Sequence, residues 1–463
     1  KRGIPEEYVR TLSVLTDQAP PKTFEEIDSV IKEEFGKSAE ELFLSFDKKP
    51  IAAASLAQVH RALLHNGTEV AVKVIYPSLR KEMASDFSVL RTMGVQVKPG
   101  GLDLSVLIND FEKALRGELD FESEATNSEK TAHVLAHMPQ AKVPRVLWEF
   151  TSKSVLTMEF ERDLLRLNDE EGILAAGLRL EDVGELVADT FSEMILCHGH
   201  VHGDPHAGNI YVRAKGSPPR PELVLLDHGL YHSIDDVSRE KLCRLFLACI
   251  HRRTTQIQKI SEEIAGPLHR FLPLLLSPTF AIATSMNASD LIAASKHELP
   301  ESISVQDVGK CIKAMHSHGS NMLGVLHSLG YTRGLLHAVK YPERDRLCSI
   351  AKFSVLGLLK AEQRKSALKA GLITLPPEDK LRIRYAILQV DISKMILTVM
   401  VWIFLHWRQA GALVFSFFTF LTMLAFGYPR GVMSSQSSAG AGSSSGSVSW
   451  SRRWILGLRR PRM

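Results

Sequence analysis

The sequence has few cysteines, and they form no pattern typical of a ligand set or of disulfide pairing. No two of the five stand in a C-x-x-C pair, as many zinc sites require, and an odd number cannot be fully paired in disulfides. We therefore expect buried, reduced thiols. The cysteines are Cys197, Cys243, Cys249, Cys311 and Cys348.

The chain also lacks a strong excess of either charge. Its 56 lysines and arginines stand against 52 aspartates and glutamates, and this balance argues against a protein that binds nucleic acid. A chain of 463 residues can bury a large core, as one large or two moderate domains with extensions. Because the chain opens with Lys1 rather than methionine, we expect a fragment or a processed form, and any targeting peptide would lie upstream of it.

Local patterns divide the chain into helical and strand-forming parts. Residues 1–47 are predicted to be helical, with Thr23 and Glu26 as a capping box. Asn66-Gly67 separates two apolar runs and predicts a hairpin, and residues 142–150 and 154–160 have the length and composition of strands. Residues 161–164 then cross between two lobes. An amphipathic helix over 180–198, short strands over 201–230 and mostly helices over 235–391 follow.

The carboxyl-terminal part is the most hydrophobic. Residues 395–407 are too short to cross a bilayer comfortably, but residues 410–428 are nineteen residues without a charge, flanked by Arg408 and Arg430. This pattern predicts a membrane segment within 395–428, and the alternative is a buried core helix. Residues 429–463 are predicted to be a flexible basic tail.

The stretch GHVHGDPHAGN, residues 199–209, combines three histidines with an aspartate and an asparagine. His200, His202 and His206 could ligate a metal in a hydrolase, since HVHGDPH resembles the histidine box of metallo-β-lactamase-type hydrolases. However, one extra residue separates Asp204 from His206. The other interpretation is a phosphotransfer loop, in which His202 braces the loop and the remaining histidines are structural.

The strand EVAVKV favours phosphotransfer. Alternation places Val70, Val72 and Val74 on one face and Ala71 and Lys73 on the other. A lysine among apolar residues is costly unless an anion meets it, and either a phosphate or a structural carboxylate could do so. The acids of GELDFESEATN, residues 117–127, are candidates for that carboxylate.

The spacing of the later polar residues also matches a kinase. Asp204 and Asn209 are five residues apart, as in a kinase catalytic loop. A strand, a turn at 214–221 and a second strand then lead to Asp227, and Gly229 follows two residues later. This hairpin should return Asp227 beside Asn209, where two oxygen ligands suit Mg²⁺.

Five motifs in this order resemble the ABC1/UbiB/aarF-domain family of atypical kinase-like proteins, most closely its mitochondrial aarF-domain-containing kinase group. They are PIAAASLAQVHRA, VAVKV, ELDFESEATN, HGDPHAGN and VLLDHGLY, and the likeness extends to about residue 350. The family's KxGQ motif should stand before IPEEYV and is not in this chain.

The resemblance implies a role for each matching position. It implies Lys73 as the nucleotide-phosphate lysine, Glu124 as its ion-pair partner and Asp204 as the catalytic-loop aspartate. Asn209 and Asp227 would be the metal ligands. The remaining positions of the implied nucleotide site are the alanine-rich loop, the alanine before the lysine and the ExD motif: Ala52, Ala53, Ala54, Ser55, Ala71, Glu118 and Asp120.

The sequence thus predicts an α+β, two-lobed protein-kinase-like fold with extra N-terminal and C-terminal helices. The expected parts are a truncated helical extension (1–47), an N-lobe (48–162), a C-lobe with helical extension (163–391), a membrane segment (395–428) and a tail (429–463).

The predicted function is that of an ATPase or atypical kinase that binds ATP or ADP and Mg²⁺. The resemblance implies a link to isoprenoid-quinone or other lipid metabolism at a mitochondrial membrane, or alternatively a plastid membrane. The expected partners are adenine nucleotide, membrane lipids, and isoprenoid-quinone precursors or the enzymes that make them, with no nucleic acid. A pseudokinase scaffold that binds lipids or partner proteins is the alternative from another class.

Overall fold

The computed structural model describes residues 21–77, 79–96, 115–277 and 322–370, together with residues 108, 112, 279, 280, 310 and 315. Cys311 and residues 395–463 lie outside this part. Within the described part, no helix is both long enough and apolar enough to cross a bilayer.

The amino-terminal part combines helices with an antiparallel sheet. Helix α1 (Phe24–Phe35) begins at the predicted capping box, in which Thr23 and Glu26 bond each other's backbone N–H groups, and α2 (Ala39–Leu42) follows. The strands are β1 (Ser45–Phe46), β2 (Ala52–Ala53), β3 (Ala57–Leu63), β4 (Glu69–Ile75) and β6 (Val155–Glu159). They pair in the order β1-β3-β4-β6, with β2 also on β3.

The hairpin predicted at Asn66-Gly67 joins β3 to β4. Leu64 and Thr68 close the turn with a 2.9 Å hydrogen bond, and Gly67 takes a φ of 83°, which favours glycine. Val70, Val72 and Val74 are fully buried, as the alternation predicted, and pack with Ile27 and Ile31 of α1. The helix before the sheet therefore belongs to the same hydrophobic core.

Helices α3 (Leu79–Gln96) and α4 (Phe121–Val134) follow β4. The strand expected over residues 142–150 is wrong. Only Ala141–Lys142 (β5) and a bridge between Val146 and Met158 have strand pairing, and Trp148–Phe150 form a 3₁₀ turn. Pro144 has no N–H to donate to a ladder, which explains the interruption.

The carboxyl-terminal part contains two small sheets and most of the helices. Strands β7 (Leu165–Arg166), β9 (Ile210–Lys215) and β10 (Arg220–Leu225) pair in the order β5-β10-β9-β7, and β8 (His200–His202) pairs with β11 (Tyr231–Ser233). Residues 160–164 connect β6 of the first sheet to β7 of the second.

The helices of this part surround two further hydrophobic clusters. They are α5 (Glu170–Ala175), α6 (Leu180–Ser192), a π-helical turn (Glu193–His198), α7 (Asp236–Ile250), α8 (Thr254–Ala265), a 3₁₀ turn (Gly266–Leu268), α9 (Leu272–Leu276), α10 (Met322–Ala338) and α11 (Glu343–Ala370). Cys197, Cys243 and Cys249 are buried free thiols, as expected, and Cys348 is half-buried.

Candidate active site

Lys73 lies on the cleft face of β4 and meets a buried carboxylate. Its Nζ donates to both carboxylate oxygens of Glu124 on α4, at 2.8 and 2.9 Å, and lies 5.1 Å above the ring of Phe121. Burial alone would lower the pKa of Lys73, but the charges of Asp227 and Glu124 outweigh it and raise that pKa above its ordinary value. The lysine is therefore protonated at neutral pH.

Asp227 stands on the other side of the same ammonium group. Its Oδ2 is 3.4 Å from Lys73 Nζ, and its Oδ1 accepts the Gly229 N–H at 2.9 Å. Burial would raise the pKa of Asp227, but the charge of Lys73 and the Gly229 N–H hold it well below its usual range. The predicted hairpin positions this residue, because Leu226 N–H donates to Asn209 O at 3.1 Å.

Asp204 follows β8 and starts the loop that ends at Asn209. Its N–H donates to Nδ1 of His202 at 3.2 Å, so His202 braces the loop. The Asp204 carbonyl accepts the His206 N–H at 2.9 Å and the Asn209 side-chain amide at 3.4 Å. Burial raises the pKa of the Asp204 carboxyl, and the charge of Asp227 adds to this against the opposing effect of His206.

Glu118 and Asp120 lie just before α4 and have different environments. Asp120 caps the helix by accepting the Glu122 N–H at 3.2 Å. Glu118 faces the cleft, where burial and the negative charges of Asp227 and Asp204 raise its pKa to about 7. A Cβ added to Gly229 would be 3.6 Å from Glu118 Cγ and 3.3 Å from Asp227 Oδ1, so these two side chains flank the glycine closely.

The alanine-rich segment forms a tight turn at the edge of the first sheet. Ala52 and Ala53 pair with β3, and Ala54 N–H donates to Ala57 O at 2.9 Å. The Ala54 carbonyl accepts the hydroxyl of Tyr76 at 2.9 Å, and Ser55 is exposed. Ala71 lies on β4 opposite Met158, on the same face as Lys73.

The three candidate metal-ligating histidines make separate contacts. His200 donates to Thr131 Oγ1 at 2.9 Å and stacks on Tyr231, while His206 Nδ1 accepts the Gly208 N–H at 2.9 Å. Burial lowers the pKa of His200 to about 3 and that of His202 to about 4. In the described ranges no group of three or more His, Cys, Asp or Glu side chains could hold a metal ion.

Several side chains that sequence reasoning missed connect α4 to the segment after Asp227. Asn127 Nδ2 donates to His228 O at 3.1 Å, and His228 N–H donates to Glu124 at 3.4 Å. His228 Nε2–H donates to Leu225 O at 3.2 Å, so its Nδ1 accepts the Tyr231 hydroxyl at 2.9 Å. The polar residues of LLDHGLY were the available signal for these contacts.

The outer face of α4 has an anchor of its own. Trp148 Nε1–H donates to Glu129 Oε1 at 2.6 Å, which links the 3₁₀ turn to the helix that carries Glu124. Helix α4 is thus held from the cleft side by His228 and from the outside by Trp148.

A lysine–glutamate pair between a strand and a helix, with a hairpin-borne aspartate and a catalytic-type loop in a second lobe, defines an α+β protein-kinase-like fold. Helices precede its first sheet and extend its second lobe. The family model described as ABC1 atypical kinase-like domain matches residues 14–261, more than half of the chain. The protein therefore belongs to the ABC1 atypical kinase-like family.

Curated relatives bear kinase names. AarF domain-containing protein kinase 1 of Gallus gallus is 39% identical over 277 residues, covering 59% of this chain and 53% of the relative. The Mus musculus protein of that name is 39% identical over 265 residues, covering 57% and 50%. The probable serine/threonine-protein kinase abkD of Dictyostelium discoideum is 33% identical over 382 residues, covering 80% and 53%. The chain thus spans about half the length of these relatives.

Solved structures are less similar in sequence. Rv3197 of Mycobacterium tuberculosis, in complex with erythromycin, is 19% identical with a TM-score of 0.46, covering 75% of this chain and 89% of that one. The Rio2 kinase–ADP/Mg²⁺–phosphoaspartate complex of Chaetomium thermophilum is 10% identical with a TM-score of 0.25, covering 77% and 85%.

Proposed function

We propose that this protein binds ATP or ADP with Mg²⁺ in the cleft around Lys73 and acts as an atypical kinase or ATPase. The observation that carries the proposal is the position of the Lys73 ammonium group, 2.8 Å from Glu124 and 3.4 Å from Asp227. Glu124 is almost fully buried and orients the lysine, whose charge would hold the nucleotide phosphates.

The residues around this lysine fit a divalent cation. The charges of Asp227 and Asp204 raise the pKa of Glu118, and the charge of Asp227 also raises the pKa of Asp204, as expected where negative charge is in excess. Asp227 and Asn209 supply adjacent oxygen ligands of the type that Mg²⁺ prefers, with phosphates and water completing its coordination. Bound Mg²⁺ would neutralise charge on the phosphates.

Asp204 is the proposed catalytic-loop residue. His202 fixes its backbone N–H, and Asn209 and His206 fix its carbonyl, so backbone contacts position the loop. The carboxylate itself lies 3.8 Å from Nε2 of His206. The raised pKa of this carboxyl makes it a better proton acceptor, as a general base for an acceptor hydroxyl requires. The alanine-rich turn at Ala52–Ser55 would cover the phosphates with a stiffer backbone than a glycine-rich loop.

The proposed acceptor is a small molecule or lipid, and the proposed setting is isoprenoid-quinone or other lipid metabolism at a mitochondrial membrane. Support for this finer assignment comes from the family and from the uncharged run at residues 410–428. A pseudokinase scaffold would keep nucleotide binding and lack turnover.

Thermal unfolding with and without Mg–ADP tests nucleotide binding. A ligand at 100 times its Kd stabilises the folded state by about 2.7 kcal/mol, so the Tm should rise. The variant Lys73→Ala should lose most of this rise. Lys340→Ala is a matched control, because Lys340 makes a 2.7 Å pair with Glu170 on the surface, and it should keep the full rise. An unchanged rise in Lys73→Ala would refute the proposed site.

ATP hydrolysis by the full chain, with and without phospholipid vesicles, separates an enzyme from a scaffold. The unmodified protein should turn over ATP, and Asp227→Asn should lose most of that turnover because a metal ligand is weakened. Nucleotide-dependent stabilisation without any turnover would favour the pseudokinase alternative.

A further inference from the structure

The helix that leads into the catalytic loop ends in an unusual way. After α6 the chain makes a π-helical turn, Glu193–His198, and then reverses at Gly199, whose φ is 63°. A Cβ at Gly199 would collide with the carbonyl oxygen of Ile234. Single π-helical turns are rare in proteins, and those that occur often lie at functional sites. Asp204 follows this turn after the short strand β8.

The last carbonyls of the π-helical turn are held by two arginines. Arg239 on α7 is buried and donates from Nη1 to Cys197 O at 2.9 Å and to Leu196 O at 3.2 Å. Arg364 on α11 donates from Nη2 to Cys197 O at 3.0 Å. Helix-terminal carbonyls have no partner within their own helix, so these guanidinium groups replace the missing backbone donors.

One carboxylate joins the two arginines. Asp236 Oδ1 accepts from Arg239 Nη2 at 2.6 Å and from Arg364 Nη1 at 2.9 Å. Each guanidinium therefore has a planar, two-point attachment, to a carboxylate on one side and to a carbonyl on the other. We call the set Arg239, Asp236, Arg364 and the Cys197 carbonyl the arginine clamp.

Helix α11 contacts the same turn at two further points. Lys360 Nζ donates to the buried carboxylate of Glu193 at 2.8 Å, and His198 Nε2–H donates to the same oxygen at 3.0 Å. Burial would raise the pKa of Glu193, but the hydrogen bond from His198 and the charge of Lys360 outweigh it and lower that pKa to about 2. Gly357 permits this approach, because a Cβ there would collide with the Leu196 carbonyl oxygen.

Hydrogen bonds hold the segment between the clamp and Asp204 along its length. Strand β8 pairs with β11 through His200 to His202, and Gly203 N–H donates to Leu230 O at 2.8 Å. His202 then receives the Asp204 N–H. A shift at Cys197 would therefore displace the Asp204 carboxylate.

We propose that Arg364 is a positioning residue for Asp204, so that helix α11 completes the catalytic loop from outside the family-matched region. The matched residues end at 261, whereas α11 spans Glu343–Ala370. This inference rests on the proposed phosphotransfer function and assigns α11 a part in it. It separates two roles in the molecule: the Lys73 side holds nucleotide, and α11 sets the geometry of transfer.

The test uses full-length Arg364→Gln and Arg364→Lys, with Arg344→Gln as control. The Arg364 side chain is 42% exposed, so its replacement leaves the core intact, and Arg344 on the same helix pairs with its neighbour Asp345. Misplacing a catalytic group by about 1 Å can cost about 100-fold in rate. Arg364→Gln should therefore lower kcat for ATP hydrolysis about 10-fold to 100-fold, with less than about a twofold change in Mg–ADP affinity. Arg364→Lys should recover part of kcat, and Arg344→Gln should match the unmodified protein.

Hydrogen–deuterium exchange of residues 199–209 gives a second readout that needs no turnover. Exchange in this segment should become faster in Arg364→Gln and remain unchanged in Arg344→Gln. Unchanged exchange, or equal losses of kcat and nucleotide affinity, would overturn the positioning role. Failure of the unmodified protein to bind Mg–ADP would instead refute the proposed function, and the exchange result would still decide whether Arg364 orders the loop.

Discussion

At the scale of single residues, the cleft is dominated by negative charge that one lysine does not balance. Glu118 shows this most clearly, since its pKa is raised to about 7 by burial and by Asp227 and Asp204. The charged form of such an acid is disfavoured in the folded state. The free energy of unfolding therefore decreases as the pH rises from the unfolded pKa of the group towards its folded pKa. Without a bound cation, ionised Glu118 therefore destabilises the folded protein at neutral and alkaline pH.

Glu118→Gln should relieve this repulsion. Without nucleotide and with EDTA, the variant should melt at a higher temperature than the unmodified protein at pH 8, and the difference should shrink at pH 5. Its Mg²⁺-dependent stabilisation should be weaker, because the cleft has lost a negative charge. A melting difference that is the same at both pH values would contradict the assigned charge interaction.

At the scale of elements, the hairpin between β3 and β4 sets the register that points Lys73 into the cleft. Gly67→Ala should lower the free energy of unfolding by about 1–2 kcal/mol, because an L-residue is strained at a φ of 83°. Gly330→Ala in α10 should have the opposite sign, a gain of up to about 1 kcal/mol, because a Cβ there meets nothing within 4 Å. Urea unfolding measures both, and equal signs would contradict this explanation.

Elements with local signals were the ones that the sequence predicted. The Thr23 cap, the Asn66-Gly67 turn and the burial of alternate valines depend on neighbouring residues, and the structure confirms them. The strand expected at residues 142–150 was wrong, because its apolar content concealed the effect of Pro144.

The residues of the candidate site also divide into those that a sequence motif predicted and those that it did not. Motif spacing brought Asp204, Asn209 and Asp227 to attention, and the structure places the last two on paired strand ends. Asn127 and Tyr231 were missed, because an ordinary polar residue acquires its role through contacts about 100 residues away in sequence, as between Asn127 and His228. The π-helical turn was missed for the same reason, since the guanidinium groups that donate to its carbonyl oxygens come from α7 and α11.

At the scale of the whole molecule, buried neutral histidines make the free energy of unfolding decrease at acidic pH. Burial lowers the pKa of His200 and His228 to about 3 and that of His202 to about 4. In the unfolded chain these groups bind protons near pH 6.5, so the unfolded state gains protons first as the pH falls. Stability should be complete above about pH 6.5 and decrease below it, by up to about 1.4 kcal/mol per pH unit for each histidine.

Urea midpoints at pH 7.5 and pH 5.5 measure this effect. The midpoint should be lower at pH 5.5, and His200→Gln should reduce the difference between the two midpoints. Equal midpoints at both pH values would show that these histidines accept protons in the folded state.

The proposed membrane segment can be separated from the kinase-like part. Residues 1–394 group as one compact unit and contain all of the described site. Truncation after Lys394 should release the protein from vesicles and preserve stabilisation by Mg–ADP. Continued vesicle binding by the truncated chain would place the attachment elsewhere.

The hydrogen bond between Trp148 and Glu129 has a spectroscopic consequence. The chain has five tryptophans, and the other four, Trp402, Trp407, Trp450 and Trp454, all follow Lys394. The truncated protein therefore contains a single tryptophan without any substitution. The indole N–H of this Trp148 donates to a carboxylate on the helix that carries Glu124. Its intrinsic fluorescence would follow the movement of that helix as nucleotide enters the cleft, without any added dye.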